Sequence, residues 1–154
     1  MKNHVIKATT IDDIAGLKAV LDGTELFPSE MLADMLAPAL AGETEAFWLS
    51  CHSDGEPVGL CYTAPEELTD GTWNMRALAV RPDLQGKGLG AAIVRATENY
   101  LRERGQRILI VETSGRREFS LTRDFYAKNG YQKEARIRDF WAEGDDKIVF
   151  RKAL

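Results

Sequence analysis

Three glycines at alternate positions, Gly86, Gly88 and Gly90, stand between a strand-like run and the longest amphipathic segment of the chain. Glycine reaches backbone angles closed to other residues and is costly inside a helix. Three of them at a helix start therefore need a backbone reason. The run before them, Thr72 to Val80, reads as a strand. After them Leu89, Ile93, Ala96 and Tyr100 recur at the spacing of one buried face, which predicts a helix from about Gly88 to Arg104, stopped by Gly105. Ile108-Leu109-Ile110-Val111 follows as an unbroken apolar run, the pattern of a strand covered on both faces. Strand, helix and buried strand make a βαβ unit, whose strands run parallel and connect right-handedly.

The remaining elements surround that unit. Val5 to Thr9 reads as a first strand. Thr10 reads as a helix N-cap, with Asp12 and Asp13 in a first turn whose dipole favours acids. Ile14, Leu17 and Leu21 mark the helix, and Gly23 is expected to stop it. A second helix is predicted from near Ser29, with Met31, Met35 and Leu36 on one side, a disturbance at Pro38 and an end by Gly42. Ala46 to Cys51 and Val58 to Thr63 flank an Asp54-Gly55 hairpin turn. Pairing Ser53 with Glu56 sets Cys51 opposite Val58 and Cys61 opposite Trp48, so the two cysteines read as packed free thiols. A shorter helix is predicted from Ser120 to Asn129, ending at Gly130. Tyr131 to Asp139 and Lys147 to Lys152 read as a last antiparallel pair around Gly144-Asp145-Asp146. The order β-α-α-β-β-β-α-β-α-β-β is that of an α/β chain with a mixed sheet and flanking helices, in one domain over residues 1–154.

Composition narrows the function classes. A chain of 154 residues, 44% hydrophobic and 29% charged, has enough apolar material for a core and is no disordered chain. Its 20 basic and 24 acidic residues leave a formal charge of −4, which argues against a dedicated nucleic-acid binder. No stretch approaches the ~20 apolar residues of a membrane span. Met1 to Lys7 lacks an apolar signal core, so no membrane partner and a cytoplasmic location are expected. Two cysteines with His4 and His52 are too few to suggest a structural zinc site, and no metal is expected. Both histidines read as surface imidazoles, and Phe47, Trp48, Trp73 and Phe150 as core or dimer-contact residues.

The glycine turn has the makings of an anion site. Its glycines let the backbone approach a ligand, and the first N–H groups of the helix have no internal partner. Lys87 adds positive charge. A Walker loop needs Ser or Thr after its lysine, and here Gly88 follows. Gly86, Gly88 and Ala91 fit the G-x-G-x-x-A of a dinucleotide fold, yet Arg81 to Gln85 separate them from the strand and an antiparallel meander precedes them.

The block Leu78-Ala79-Val80-Arg81-Pro82-Asp83-Leu84-Gln85-Gly86-Lys87-Gly88-Leu89-Gly90 resembles the acyl-CoA motif of the GNAT superfamily of N-acetyltransferases, whose core pattern is Q/R-x-x-G-x-G/A. Phe125-Tyr126-Ala127-Lys128-Asn129-Gly130-Tyr131 resembles that superfamily's second signature, a helix with a tyrosine followed by a Gly-aromatic pair. The element order matches over nearly the whole chain. The resemblance implies a GNAT-like fold and acetyl-CoA as co-substrate. It implies transfer of an acetyl group to a primary amine of a small molecule, amino acid or peptide, by direct attack. A non-catalytic CoA-binding or sensory member of the fold, and a Rossmann-type nucleotide binder, stand as alternatives.

By the same resemblance, the amides of Gln85, Gly86, Lys87, Gly88, Leu89, Gly90 and Ala91 hold the CoA diphosphate, and the backbone of Leu78, Ala79 and Val80 pairs with the pantetheine arm. Tyr126 is the expected donor to the leaving thiolate, since a phenol is protonated at neutral pH. Many family members carry an asparagine shortly before that tyrosine. Here Thr122, on the same helical face, is the candidate in its place, beside Phe125 and Lys128. Glu112, just after the buried run, is the first candidate for the base that takes the amine's proton. Glu66, Glu67 and Glu30 are other acids on loops. Acceptor selection is expected at Gly23 to Ser29, with Phe27, and at Phe140 to Asp146, with Trp141. An exposed final strand would support a homodimer.

Overall fold

The computed structural model describes residues 4–154. Among these, seven strands are hydrogen-bonded neighbours in the order β1-β2-β3-β4-β5-β7-β6, accompanied by four α-helices. The strands are β1 His4–Ala8, β2 Phe47–Ser53, β3 Glu56–Pro65, β4 Thr72–Val80, β5 Ile108–Ser114, β6 Gln132–Ala142 and β7 Asp145–Ala153. The helices are α1 Ile14–Thr24, α2 Leu32–Leu40, α3 Leu89–Glu103 and α4 Ser120–Lys128. The mixed α/β architecture read from the sequence is the one observed. The described residues divide into two compact units, one of residues 4–64 and 76–100, the other of residues 65–75 and 101–154, with β4 contributing to both.

In the first unit, α1 and α2 supply Leu17, Val20, Leu21, Leu32 and Leu36 to a core completed by Trp48, Leu60, Ala77 and Ala79. Each fully buried aliphatic side chain there contributes about 1.5–3 kcal/mol. Met31 is exposed, so the buried face of α2 is Leu32 and Leu36, one helical turn apart. Pro38 lies inside α2, and Gly42 follows with φ +70°. Gly23 does not stop α1. The helix runs to Thr24, and Glu25 ends it in the left-handed region with φ 56°. Gly23 is small for a different reason, because a Cβ there would come within 3.2 Å of the Pro82 ring.

The Asp54-Gly55 turn forms as expected, both residues having positive φ. Ser53 pairs with Glu56, but a bulge between Cys51 and His52 moves the rest of the ladder by one residue. Cys51 therefore faces Gly59, and Cys61 faces Leu49. Both thiols are free and completely buried. Burial pushes both up, opposed at Cys61 by hydrogen bonds with Thr63 and Thr97.

In the second unit, β4 and β5 pair in parallel as the βαβ reading requires, through Thr72–Ile108, Trp73–Leu109 and Asn74–Ile110. Leu109, Val111 and Thr113 are buried, while Ile108, Ile110, Glu112 and Ser114 are half-buried. The apolar run thus has one sealed face, and its other face carries polar groups. The final hairpin is longer than predicted, and β7 lies between β5 and β6. All eleven residues of β6 are exposed. Helix α4 starts at Ser120 as expected, after a short turn at Arg117–Phe119.

Candidate functional site

The glycine loop of the first unit is built to leave its backbone bare. Pro82–Leu84 makes one tight turn, anchored by the buried Leu84 side chain. Gly86 and Gly88 then take φ +75° and +85°, where a side chain is strained, and a Cβ at either would meet no atom within 4 Å. The side chains of Gln85 and Lys87 are exposed, Leu89 is buried, and Gly90 and Ala91 are half-buried. The first helical hydrogen bond runs from the Ala92 N–H to the Gly88 carbonyl, 3.1 Å. The N–H groups of Leu89, Gly90 and Ala91 precede it and are open to an external acceptor. Bare amides at the positive end of a fifteen-residue helix suit a diphosphate.

Gln85 has a role that its motif position does not reveal. Its Nε2 donates to the carbonyl of Val80 at 3.0 Å, folding the loop back onto the end of β4. Arg81 holds the same corner, donating its N–H to the Val58 carbonyl and its guanidinium to Asp83. On β4 itself, Leu78 is half-buried, and Ala79 and Val80 are buried.

The second unit holds a polar cluster around Asn74, a residue only 4% exposed. Its Nδ2 donates to Glu66 Oε1 at 2.8 Å and to Glu112 Oε1 at 2.7 Å. The other oxygen of Glu112 pairs with Lys147 Nζ at 2.6 Å. Lys147 also stands 4.1 Å over the Phe140 ring. Trp141 donates to the Thr113 carbonyl at 3.1 Å, which ties β6 to β5 beside Glu112. The Asn74 side-chain carbonyl accepts nothing from the protein. An unpaired buried acceptor costs about 1–3 kcal/mol, a cost the cluster carries within the fold.

Tyr126 lies on α4 of the same unit, 5% exposed. Its ring meets Phe125, Tyr131 and Phe150 at centroid distances of 5.2, 5.8 and 5.9 Å. Phe125 is half-buried, and Thr122 and Lys128 are exposed. Glu112 is thus gathered with Glu66 and Asn74, while Tyr126 is gathered with aromatics. Among the loop acids, Glu25 and Glu30 line a cavity of about 410 Å³ with Asp22, Leu26 and Phe27, beside the end of α1.

Two groups escaped the sequence reading. His52 is not a surface imidazole: it is 6% exposed and its Nε2 lies 2.7 Å from Asp13 Oδ1. Asn74 passed unnoticed within an otherwise mostly apolar strand. The signal available for it was its own polarity between Trp73 and Met75, since a buried amide needs partners. Among the described residues, no group of three or more His, Cys, Asp and Glu is arranged to hold a metal, and no helix is long and apolar enough to cross a membrane.

Residues 43–133 match the family model described as an acetyltransferase (GNAT) domain. A structure from Desulfovibrio desulfuricans, assigned to the GNAT acetyltransferases, superposes with a TM-score of 0.89 at 27% identity, covering 98% of this chain and 99% of that one. The ribosomal-protein-S18-alanine N-acetyltransferase of Escherichia coli gives 0.77 at 17% identity, over 98% and 94% of the two chains. An N-acetyltransferase of Thermoplasma acidophilum, solved with coenzyme A, gives 0.77 at 16% identity over 99% of each. No curated protein matches the chain in sequence.

Proposed function

We propose that this chain, which belongs to the GNAT acetyltransferases, moves an acetyl group from acetyl-CoA to a primary amine of a small molecule, amino acid or peptide. The open glycine cradle at the head of α3 carries the reading. Two positive-φ glycines with nothing above them, pinned to β4 through Gln85, have no packing role to explain them.

Acetyl-CoA supplies a thioester carbonyl open to attack by a neutral amine. The amides of Gln85 to Ala91 bind its diphosphate, with Lys87 adding charge. The backbone of Leu78, Ala79 and Val80 binds the amide-bearing arm, as a strand accepts an added strand. The N–H near Val80 polarises the thioester oxygen. Thr122, Phe125 and Lys128 on α4 contribute to cofactor binding. Free amines have pKa values near ~10.4 and arrive mostly protonated, so a proton must leave. Glu112 and Glu66, bridged by Asn74, are the two carboxylates from which the proton acceptor is drawn. Tyr126 donates its phenolic proton to the departing sulfur. The carboxylates of Asp22, Glu25 and Glu30 around the cavity next to Phe27 favour a cationic acceptor. We assign the enzyme to the cytoplasm, as a single acetyltransferase domain.

A thermal-shift comparison tests the cofactor: acetyl-CoA raises the melting temperature and NAD(H) does not. Thiol release from acetyl-CoA over a panel of diamines, amino-acid amides and peptides with free N-termini tests the reaction. Protection by NAD(H) alone defeats the reading, and binding without thiol release reduces it to a sensor.

A further inference from the structure

The Asn74 cluster distinguishes its two carboxylates. Glu112 is fully engaged: one oxygen accepts from Asn74 and the other faces the Lys147 ammonium. Glu66 has one oxygen on Asn74, and among the described residues no donor reaches the other. Its backbone is fixed on both sides. The Glu66 N–H donates to the Thr72 carbonyl at 2.9 Å, and the Glu66 carbonyl accepts from the Thr69 hydroxyl at 2.8 Å. The half-buried side chain therefore projects from a tied turn and not from a loose loop. The unspent polar atoms here, Glu66 Oε2 and the buried Asn74 Oδ1, are both acceptors. Asn74 Oδ1 is sealed within the cluster, so an outside donor, such as the N–H of an amine or ammonium, meets Glu66 Oε2.

We propose that Glu66 is the proton acceptor of the acetyl transfer and that the Asn74 amide orients its carboxylate, while Glu112, locked by Lys147, holds the Asn74 amide in place. This rests on the acetyl-transfer reading above. The amine nitrogen forms its bond to the thioester carbon, and the carbon–sulfur bond breaks with its electron pair on sulfur. Glu66 Oε2 takes one proton from the ammonium before this attack, the second nitrogen proton leaves the tetrahedral adduct for solvent, and Tyr126 gives its phenolic proton to the sulfur and recovers one from solvent. The carboxylate is regenerated by losing its proton to solvent. Glu66 touches the reacting nitrogen in this scheme, and Glu112 is a positioning residue.

The test compares Glu66→Gln with Glu112→Gln, using the panel amine that gives the fastest thiol release. Glu66→Gln keeps the side chain's shape and should lower kcat about 100-fold at pH 7. Its defect should shrink as pH rises toward the amine's own pKa, because more of the amine is then already deprotonated. Its affinity for acetyl-CoA and its melting temperature should stay those of the wild type. Glu112→Gln should mainly raise KM for the amine, with a smaller fall in kcat. Calorimetry without acetyl-CoA should show weaker binding of the same amine to Glu66→Gln. A Glu66→Gln enzyme with kcat within twofold of wild type, a pH-independent defect, or a larger kcat loss in Glu112→Gln overturns the assignment. A wild-type protein that releases no thiol with any panel amine overturns the acetyl-transfer reading itself.

Discussion

Two buried polar groups, one in each unit, show how differently a protein can treat polarity in its interior. Asp13 and His52 form a sealed couple with side chains 8% and 7% exposed, in which the buried His52 Nδ1 has no partner in the protein. The Asp13 carboxylate also accepts the Thr10 N–H at 2.8 Å, so it ties the turn before α1 to β2. The Asn74 cluster is a bridge that reaches the surface through the half-buried Glu66. Its carboxylates are half-buried and its carbonyl is left without a donor. The first group spends its charge on holding two segments together. The second leaves one oxygen of the half-buried Glu66 carboxylate unpaired at its edge.

Tyr126 sharpens this contrast most, because it is buried as deeply as the Asp13–His52 couple yet is assigned a chemical role. Tyr126→Phe should lower turnover by about 100-fold while leaving acetyl-CoA affinity within twofold. Steady-state kinetics with calorimetry reads both, and unchanged turnover would place Tyr126 with the structural groups.

Asp13→Asn addresses the sealed couple. Burial pushes the Asp13 carboxyl up, but the Thr10 N–H and His52 outweigh it and hold the carboxyl below its usual value of 3.8. A carboxyl lowered on folding adds stability above its unfolded pKa, and that stability fades as pH falls through the folded one. Asp13→Asn should therefore cost about 1.5–3 kcal/mol at pH 7 and far less near pH 3. Urea unfolding at the two pH values measures it, and turnover per folded molecule should not change. A loss of stability that is the same at both pH values would break the electrostatic account.

The smallest expected effect compares two glycines of identical geometry. Gly55 and Gly88 both have φ +85° and open space where a Cβ would stand. Alanine at either should cost about 1–2 kcal/mol by strain. Only Gly88→Ala should also weaken acetyl-CoA binding, by about tenfold, because only there does the bare backbone face a ligand. Equal binding by both variants would reduce the cradle to a turn.

What the sequence made legible was local. The Asp54-Gly55 turn and the glycine loop are each specified within a few residues by φ requirements, and both formed where expected. The run of strands and helices followed from periodicity. What escaped was set across distance. One bulge between Cys51 and His52 displaced the cysteine register by a residue, and His52 proved to be buried against Asp13, 39 positions away in the chain. Gly23 looked like a helix stop because its actual neighbour, Pro82, is remote in the chain. Glu112 could be picked out at a strand end, but its bridge to Glu66 runs through Asn74, a residue 38 positions away. Long-range pairing of polar side chains leaves no periodic trace.

The two sealed thiols give the first unit an internal reporter. A cysteine with no exposed surface and a raised pKa offers an alkylating reagent neither access nor thiolate. Labelling of Cys51 and Cys61 therefore waits on opening of the β2–β3 ladder. Its rate in a short reagent pulse clocks that opening directly, with no dye or engineered probe.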